Sequence, residues 1–112
     1  MREVQHFIGG QATRGAATRD GNIFNPNTGK VQASVCLGGA DDVNAAVDAA
    51  KKVQPEWAAT NPQRRARVMF KFKELLEANM DELAALLSSE HGKVIADSKG
   101  DVQRGLEVIE FA

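Results

Sequence analysis

At 112 residues, 43% hydrophobic and 26% charged, the chain has the size and balance of a single soluble globular domain. Fourteen basic residues against fifteen acidic ones leave a net charge of −1, which removes the electrostatic case for nucleic acid or an anionic membrane surface as a partner. No apolar run approaches the roughly 20 residues that span a bilayer, a single cysteine cannot close an internal disulfide, and Met1–His6 has no signal-peptide core. The cytoplasm is the expected compartment, or the mitochondrial matrix in a eukaryote after loss of a leader.

The chain reads as α/β, with strands and turns over residues 1–39 and helices over 40–112. Glycine is dense at the start, as short antiparallel strands and tight turns require, and the strands are expected over about 5–37. Phe7-Ile8 followed by Gly9-Gly10 predicts a small hairpin, because glycine supplies the positive φ of a two-residue turn. Ile23-Phe24 is a second short extended run. Asn25-Pro26-Asn27-Thr28-Gly29 is a concentrated turn sequence. Val31, Ala33, Val35 and Leu37 then alternate with Lys30, Gln32, Ser34 and Cys36, predicting a strand with one face on a core.

From Ala40 the apolar spacing becomes helical, and about four to five helices are expected over about 41–112. Asp41 is the expected N-cap of a helix over about 41–53, with Pro55 interrupting the stripe and opening a short second helix. Asn61-Pro62 predicts the next start, with Asn as cap and Pro at the first helical position. Met69, Phe72, Leu75 and Leu76 form that helix's apolar face. Asn79–Glu82 and Ser98–Asp101 have the spacing of capping boxes, and His91-Gly92 has the composition of a helix end. Val102, Leu106 and Ile109 line a last helix that reaches Ala112 without a stop signal. Such a helix is expected of a chain cut within a larger fold.

The residues with chemical potential are few. Cys36 lies inside a strand pattern between Val35 and Leu37, which favours a structural thiol over a nucleophile. His6 and His91 lack partners at metal-ligand spacing, so no metal site is expected. No G-x-G-x-x-G or P-loop occurs, so no cofactor-binding residue is expected in this chain. Arg64, Arg65 and Arg67 cluster at a helix start, where cations oppose the dipole. Pairing with carboxylates of a neighbouring helix or subunit is the expected compensation. Arg104 lies three residues from both Asp101 and Glu107, a spacing that favours local ion pairs.

Several strings acquire meaning only together. Phe7-Ile8-Gly9-Gly10-Gln11, Asn25-Pro26-Asn27-Thr28-Gly29-Lys30 and the Val31–Leu37 strand resemble the opening of the aldehyde dehydrogenase superfamily. Trp57, Arg65 and Glu90-His91-Gly92-Lys93 extend the resemblance. Pro62-Gln63-Arg64-Arg65-Ala66-Arg67 and Gly100-Asp101-Val102-Gln103-Arg104-Gly105 make it more similar to the CoA-acylating methylmalonate-semialdehyde branch.

The resemblance implies that residues 1–112 are a partial, amino-terminal piece of an NAD-binding domain. The remainder of the subunit would be its first partner, and a homo-oligomer, dimer or tetramer, its assembled state. It implies NAD and CoA as cofactors of the intact enzyme, with an acyl thioester formed on a cysteine outside this chain. No catalytic residue carries over. One binding residue does: Arg104 matches an arginine associated with the substrate's carboxylate, and a guanidinium fork suits that group. The competing class of function is a small, non-catalytic helical interaction or oligomerisation module derived from such an enzyme.

Overall fold

The computed structural model describes all 112 residues, which form two compact units, Met1–Ala59 and Thr60–Ala112. The first unit is built on a three-stranded sheet. Its central strand β5 (Val31–Leu37) lies between β1 (Arg2–Val4) and β4 (Arg19–Phe24). β4 runs antiparallel to β5, with Ile23 opposite Ala33 and Asp20 opposite Cys36, and the register shifts between Ile23 and Phe24. β1 runs parallel to β5, pairing Arg2 with Ala33 and Val4 with Val35. The sequence led to antiparallel strands from about residue 5. The short run Arg2-Glu3-Val4 carries no alternation to announce a parallel partner thirty residues away.

Being central gives β5 a burial pattern its alternation does not show. Ala33 on one face and Cys36 on the other are both buried, while Val31 and Leu37 at the strand ends stay exposed. Residues β2 (His6–Ile8) and β3 (Gln11–Thr13) form the expected separate hairpin. Gly9 and Gly10 between them sit at φ 61° and 79°, the double positive-φ turn that matches strand twist. The Asn25–Gly29 turn closes on Asn25, whose side-chain oxygen accepts from the backbone N–H of Asn27 and Thr28 while its carbonyl accepts from Gly29.

α1 runs unbroken over Ala40–Ala59, with Pro55 inside it. The expected break at Pro55 does not occur. Residues 50–59 carry largely exposed side chains, so a missing N–H there leaves no buried carbonyl stranded. Nor is Asp41 the cap. Val43 N–H donates to Gly39 O, making Gly39 the cap, and Asp42, three residues on, reaches back to accept from Gly39 N–H at 3.1 Å. That is one arm of a capping box.

The second unit is three helices, α2 (Pro62–Ala78), α3 (Met80–His91) and α4 (Ile95–Phe111). Asn61 caps α2 as expected, its side-chain oxygen accepting from Gln63 N–H at 2.8 Å. The Asn79–Glu82 capping box is absent. The Asn79 amide instead donates to Leu75 O at 2.7 Å, closing the end of α2. The Ser98–Asp101 box is absent as well, because α4 begins at Ile95 and Ser98 is already interior. There its hydroxyl, fully buried, bonds Ser88 at 2.7 Å and ties α4 to α3. Gly92, at φ 83°, ends α3 in the left-handed cap expected of it. Leu106 and Ala84 are the most deeply buried apolar side chains of this unit. No helix is long and apolar enough to cross a membrane.

Candidate functional site

The α3–α4 corner gathers a carboxylate and two cations. Gly92 turns the backbone out of α3 and presents Lys93 to the first turns of α4, where Asp101 receives its ammonium on Oδ2. One turn later Arg104 Nη1 donates to Asp101 Oδ1 at 2.9 Å. The aspartate is half-buried and holds both cations, one on each oxygen. The hydrogen bond from Lys93 lowers its carboxyl below the ordinary carboxylate value, partial burial opposes this, and the charges of Lys93, Arg104 and His91 add to the lowering.

Arg104 itself is 78% exposed along its side chain. One nitrogen is tied back to Asp101, and the rest of the planar fork faces outward with donors to spare. Gly105 beside it has nothing within 4 Å of where a Cβ would stand. An anchored guanidinium next to an open glycine is chemically suited to a carboxylate. The second expected partner, Glu107, makes no ion pair with Arg104; the local pair goes to Asp101 alone.

The other sequence candidates fall elsewhere. In the first unit His6 Nε2 lies 3.6 Å from Cys36 Sγ and 3.9 Å from Asp42 Oδ2, a grouping concealed by a separation of thirty or more positions along the chain. It resembles a nucleophile–base–acid set only in composition. A working relay divides the imidazole's two nitrogens between nucleophile and carboxylate, whereas here the same nitrogen faces both. Cys36 is 3% exposed. Asp42 already accepts from Ala16 N–H at 2.7 Å and from Gly39 N–H, and these bonds, more than the nearby His6, hold its carboxyl below the usual range. The cluster links the hairpin, the β3–β4 loop and the start of α1, with Cys36 buried within it. No group of three His, Cys, Asp or Glu side chains is disposed to hold a metal ion.

Arg64, Arg65 and Arg67 sit in the first turns of α2, which carry no acidic residue. The expected compensating carboxylates are not supplied by this unit. Its ion pairs use Lys71, Lys73, Lys93, Lys99 and Arg104 instead. Arg65 Nε is buried with no hydrogen-bond partner.

Dinucleotide phosphates favour a helix N-terminus after a strand, and the first unit has one such junction, β5 to α1. It does not fit the group. The Asp42 carboxylate already occupies the Gly39 N–H and would repel a diphosphate, and Gly38 is closed in, with the His6 ring 3.1 Å from where its Cβ would stand.

Comparison with known proteins gives the family. The family model for the aldehyde dehydrogenase family matches residues 13–112. The malonate-semialdehyde dehydrogenase of Bacillus pumilus (strain SAFR-032) is 43% identical over all of this chain, which spans 23% of that relative. The Pseudomonas aeruginosa malonate-semialdehyde dehydrogenase is 38% identical over the whole chain, 22% of its own length. A crystallised Sinorhizobium meliloti 1021 protein, described as a methylmalonate-semialdehyde dehydrogenase complexed with NAD, superposes with a TM-score of 0.96 at 59% identity, covering 99% of this chain and 23% of that one. An NAD-dependent benzaldehyde dehydrogenase from Corynebacterium glutamicum superposes at 0.89 with 32% identity, covering 95% of this chain and 23% of that one. The chain thus spans about a quarter of the length of the relatives it matches.

Proposed function

The chain belongs to the aldehyde dehydrogenase family, and from that premise we propose that residues 1–112 are the amino-terminal part of an NAD-dependent, CoA-acylating dehydrogenase of methylmalonate or malonate semialdehyde. The observation that carries this is the 59% identity and 0.96 TM-score to the Sinorhizobium meliloti protein over nearly the whole chain, against 32% for the relative that is a benzaldehyde dehydrogenase. NAD supplies the hydride acceptor when bound and CoA takes the acyl group. Neither is held by residues of this chain. The nucleophile, base and dinucleotide loop come from the remaining three quarters of the subunit, and this part contributes scaffold of the cofactor-binding domain, subunit contacts and Arg104. On this reading the enzyme is a cytoplasmic homo-oligomer, a dimer or tetramer.

Arg104's role is binding. Its free donors take the carboxylate at the far end of a semialdehyde, and Asp101 with Lys93 holds the guanidinium in place. A plain aldehyde offers nothing for this contact, so the arginine separates the two substrate classes.

One observation favours a second reading. Phe7, Val108 and Phe111 are 77%, 69% and 96% exposed, and exposed apolar surface drives self-association, so a free 112-residue chain would serve as a non-catalytic oligomerisation module. Two assays divide the readings. The enzyme encoded by the full reading frame is assayed for NADH and acyl-CoA formation from methylmalonate semialdehyde with CoA. The 112-residue chain is assayed alone and sized by gel filtration. The proposal expects CoA-dependent turnover by the longer enzyme and none by the chain. A frame that stops at Ala112, or a longer enzyme that forms the free acid and no acyl-CoA, refutes it.

A further inference from the structure

Glycine is a poor residue for a helix interior, because it has the most backbone freedom to lose. α4 holds two, Gly100 and Gly105. A glycine inside a helix answers to a positive φ, to a neighbour too close for a Cβ, or to a group that must come up to the backbone. Neither of these two has a positive φ, and neither has an atom within 4 Å of where a Cβ would stand. Nothing in this chain therefore requires glycine at either place, which leaves a group that approaches α4 from outside it.

Gly100 is the glycine placed to serve Arg104. A helical side chain leans toward the N-terminus and covers the turn before its own Cα. Arg104 does so, reaching back to donate from Nη1 to Asp101 Oδ1. Successive helical residues are about 100° apart around the axis, so positions i−3 and i−4 flank a side chain on opposite sides. Asp101, at i−3, takes one side of the Arg104 guanidinium. Gly100, at i−4, lies on the other, where the turn beneath the guanidinium is bare backbone. Gly105 falls on the side of Asp101.

In a 2-methyl-3-oxo acid the branch is carried by the carbon bonded to the carboxylate. Whatever binds the carboxylate therefore stands beside the branch, where an unbranched acid has only hydrogen. We propose that Gly100 is a specificity-determining residue: its missing side chain leaves the room taken by the 2-methyl group of methylmalonate semialdehyde when Arg104 holds the carboxylate. This rests on the reading of Arg104 as the carboxylate-binding residue. It adds which side of the guanidinium the substrate uses, and it extends the substrate class to 2-branched as well as unbranched 3-oxo acids.

The test is made on the longer enzyme with Gly100→Ala and, for comparison, Gly105→Ala. Both exchanges favour the helix, so a loss at Gly100 is not that of an unfolded protein. Each variant is assayed on methylmalonate semialdehyde and on malonate semialdehyde. Gly100→Ala should lower the ratio of kcat/KM, branched over unbranched, by about tenfold, the scale on which a pocket reads one methyl group. Gly105→Ala should leave that ratio unchanged. An unmoved ratio at Gly100→Ala, or the same shift at both glycines, overturns the proposal. So does a lowered melting temperature with equal losses on the two substrates, the result of a Cβ that strikes another part of the subunit. Arg104→Ala, in contrast, should lower turnover of both semialdehydes alike; that loss beside an unmoved ratio at Gly100→Ala defeats the role of Gly100 and leaves that of Arg104. Binding is read without turnover by ligand-observed NMR, using 3-hydroxypropanoate and 3-hydroxy-2-methylpropanoate, which keep the carboxylate and lack the aldehyde. Gly100→Ala should weaken the branched acid alone, and unweakened binding of that acid overturns the proposal. An enzyme that shows this binding pattern and no turnover defeats the dehydrogenase reading and leaves the role of Gly100 intact.

Discussion

Asp101 and Arg104 meet at 2.9 Å one turn apart on α4, with Lys93 on the aspartate's other oxygen. The pair differs from an ordinary surface i,i+3 contact because its acid is fixed from two sides while its base keeps most of its donors free. An exposed pair of this spacing adds only a few tenths of a kcal/mol to a helix, so its significance lies in where it holds the guanidinium.

Asp101→Asn removes the charge and keeps the shape. It should raise KM for a carboxylated semialdehyde several-fold, with a smaller change in kcat and little change for a plain aldehyde, as expected when a positioning contact is lost. The same variant has a stability consequence. The Asp101 carboxyl is lowered in the folded state, chiefly by Lys93, so its contribution is present at neutral pH and is lost as pH falls through the lowered value. The wild type should lose more stability on acidification below pH ~4 than Asp101→Asn does. Parallel acid limbs for the two proteins in a thermal-melt series would show that the pair has no such linkage.

Gly105 lies within α4 with open space around it. Adding a methyl group there should stabilise the helix by about 0.5–1 kcal/mol, the ordinary difference between Gly and Ala. If substrate approaches Arg104 across this glycine, Gly105→Ala should also lower kcat/KM on the carboxylated substrate. A more stable protein with undiminished turnover would show that the open space serves no ligand.

Gly15 is a contrasting case. It sits at φ 59°, and a Cβ there would collide with the Asp42 carboxylate that accepts from Ala16 N–H. Gly15→Ala should cost more than the about 1–2 kcal/mol of a left-handed alanine alone, because the clash also displaces the hub that ties the β3–β4 loop to α1. A denaturant midpoint unchanged from wild type would show that the hub is not a structural tie.

How much of this was legible in the sequence depended on distance along the chain. The Gly9-Gly10 hairpin, the Asn61 cap and the Gly92 stop are local chemistry and were readable. The capping boxes at Asn79 and Ser98 failed because the same residue types had better partners, Leu75 O and Ser88, that only the helix packing brings near. Pro55 stayed helical because the surrounding surface is exposed. The parallel pairing of Arg2–Val4 and the His6–Cys36–Asp42 cluster join residues about thirty apart, beyond the reach of periodicity. Arg104's ion pair with Asp101 follows from spacing; the substrate role proposed for it rests on resemblance alone.

Leu106 is 1% exposed and lies on the inner side of α4, facing the other two helices of its unit. Leu106→Ala should cost about 2–5 kcal/mol, transfer and cavity together, and should reduce soluble yield at 37 °C before it alters substrate preference. A loss below ~1 kcal/mol in equilibrium unfolding would mean that this helical unit is loosely packed.

The most direct test of the account is Arg104→Ala in the longer enzyme, assayed with methylmalonate semialdehyde and, separately, with propanal. A guanidinium that binds the substrate carboxylate contributes about 1.5–3 kcal/mol. The account therefore predicts a fall of roughly tenfold or more in kcat/KM on the semialdehyde, with propanal little affected. Equal losses on both substrates would make Arg104 structural, and no loss on either would leave it a surface residue paired with Asp101; either result contradicts the account.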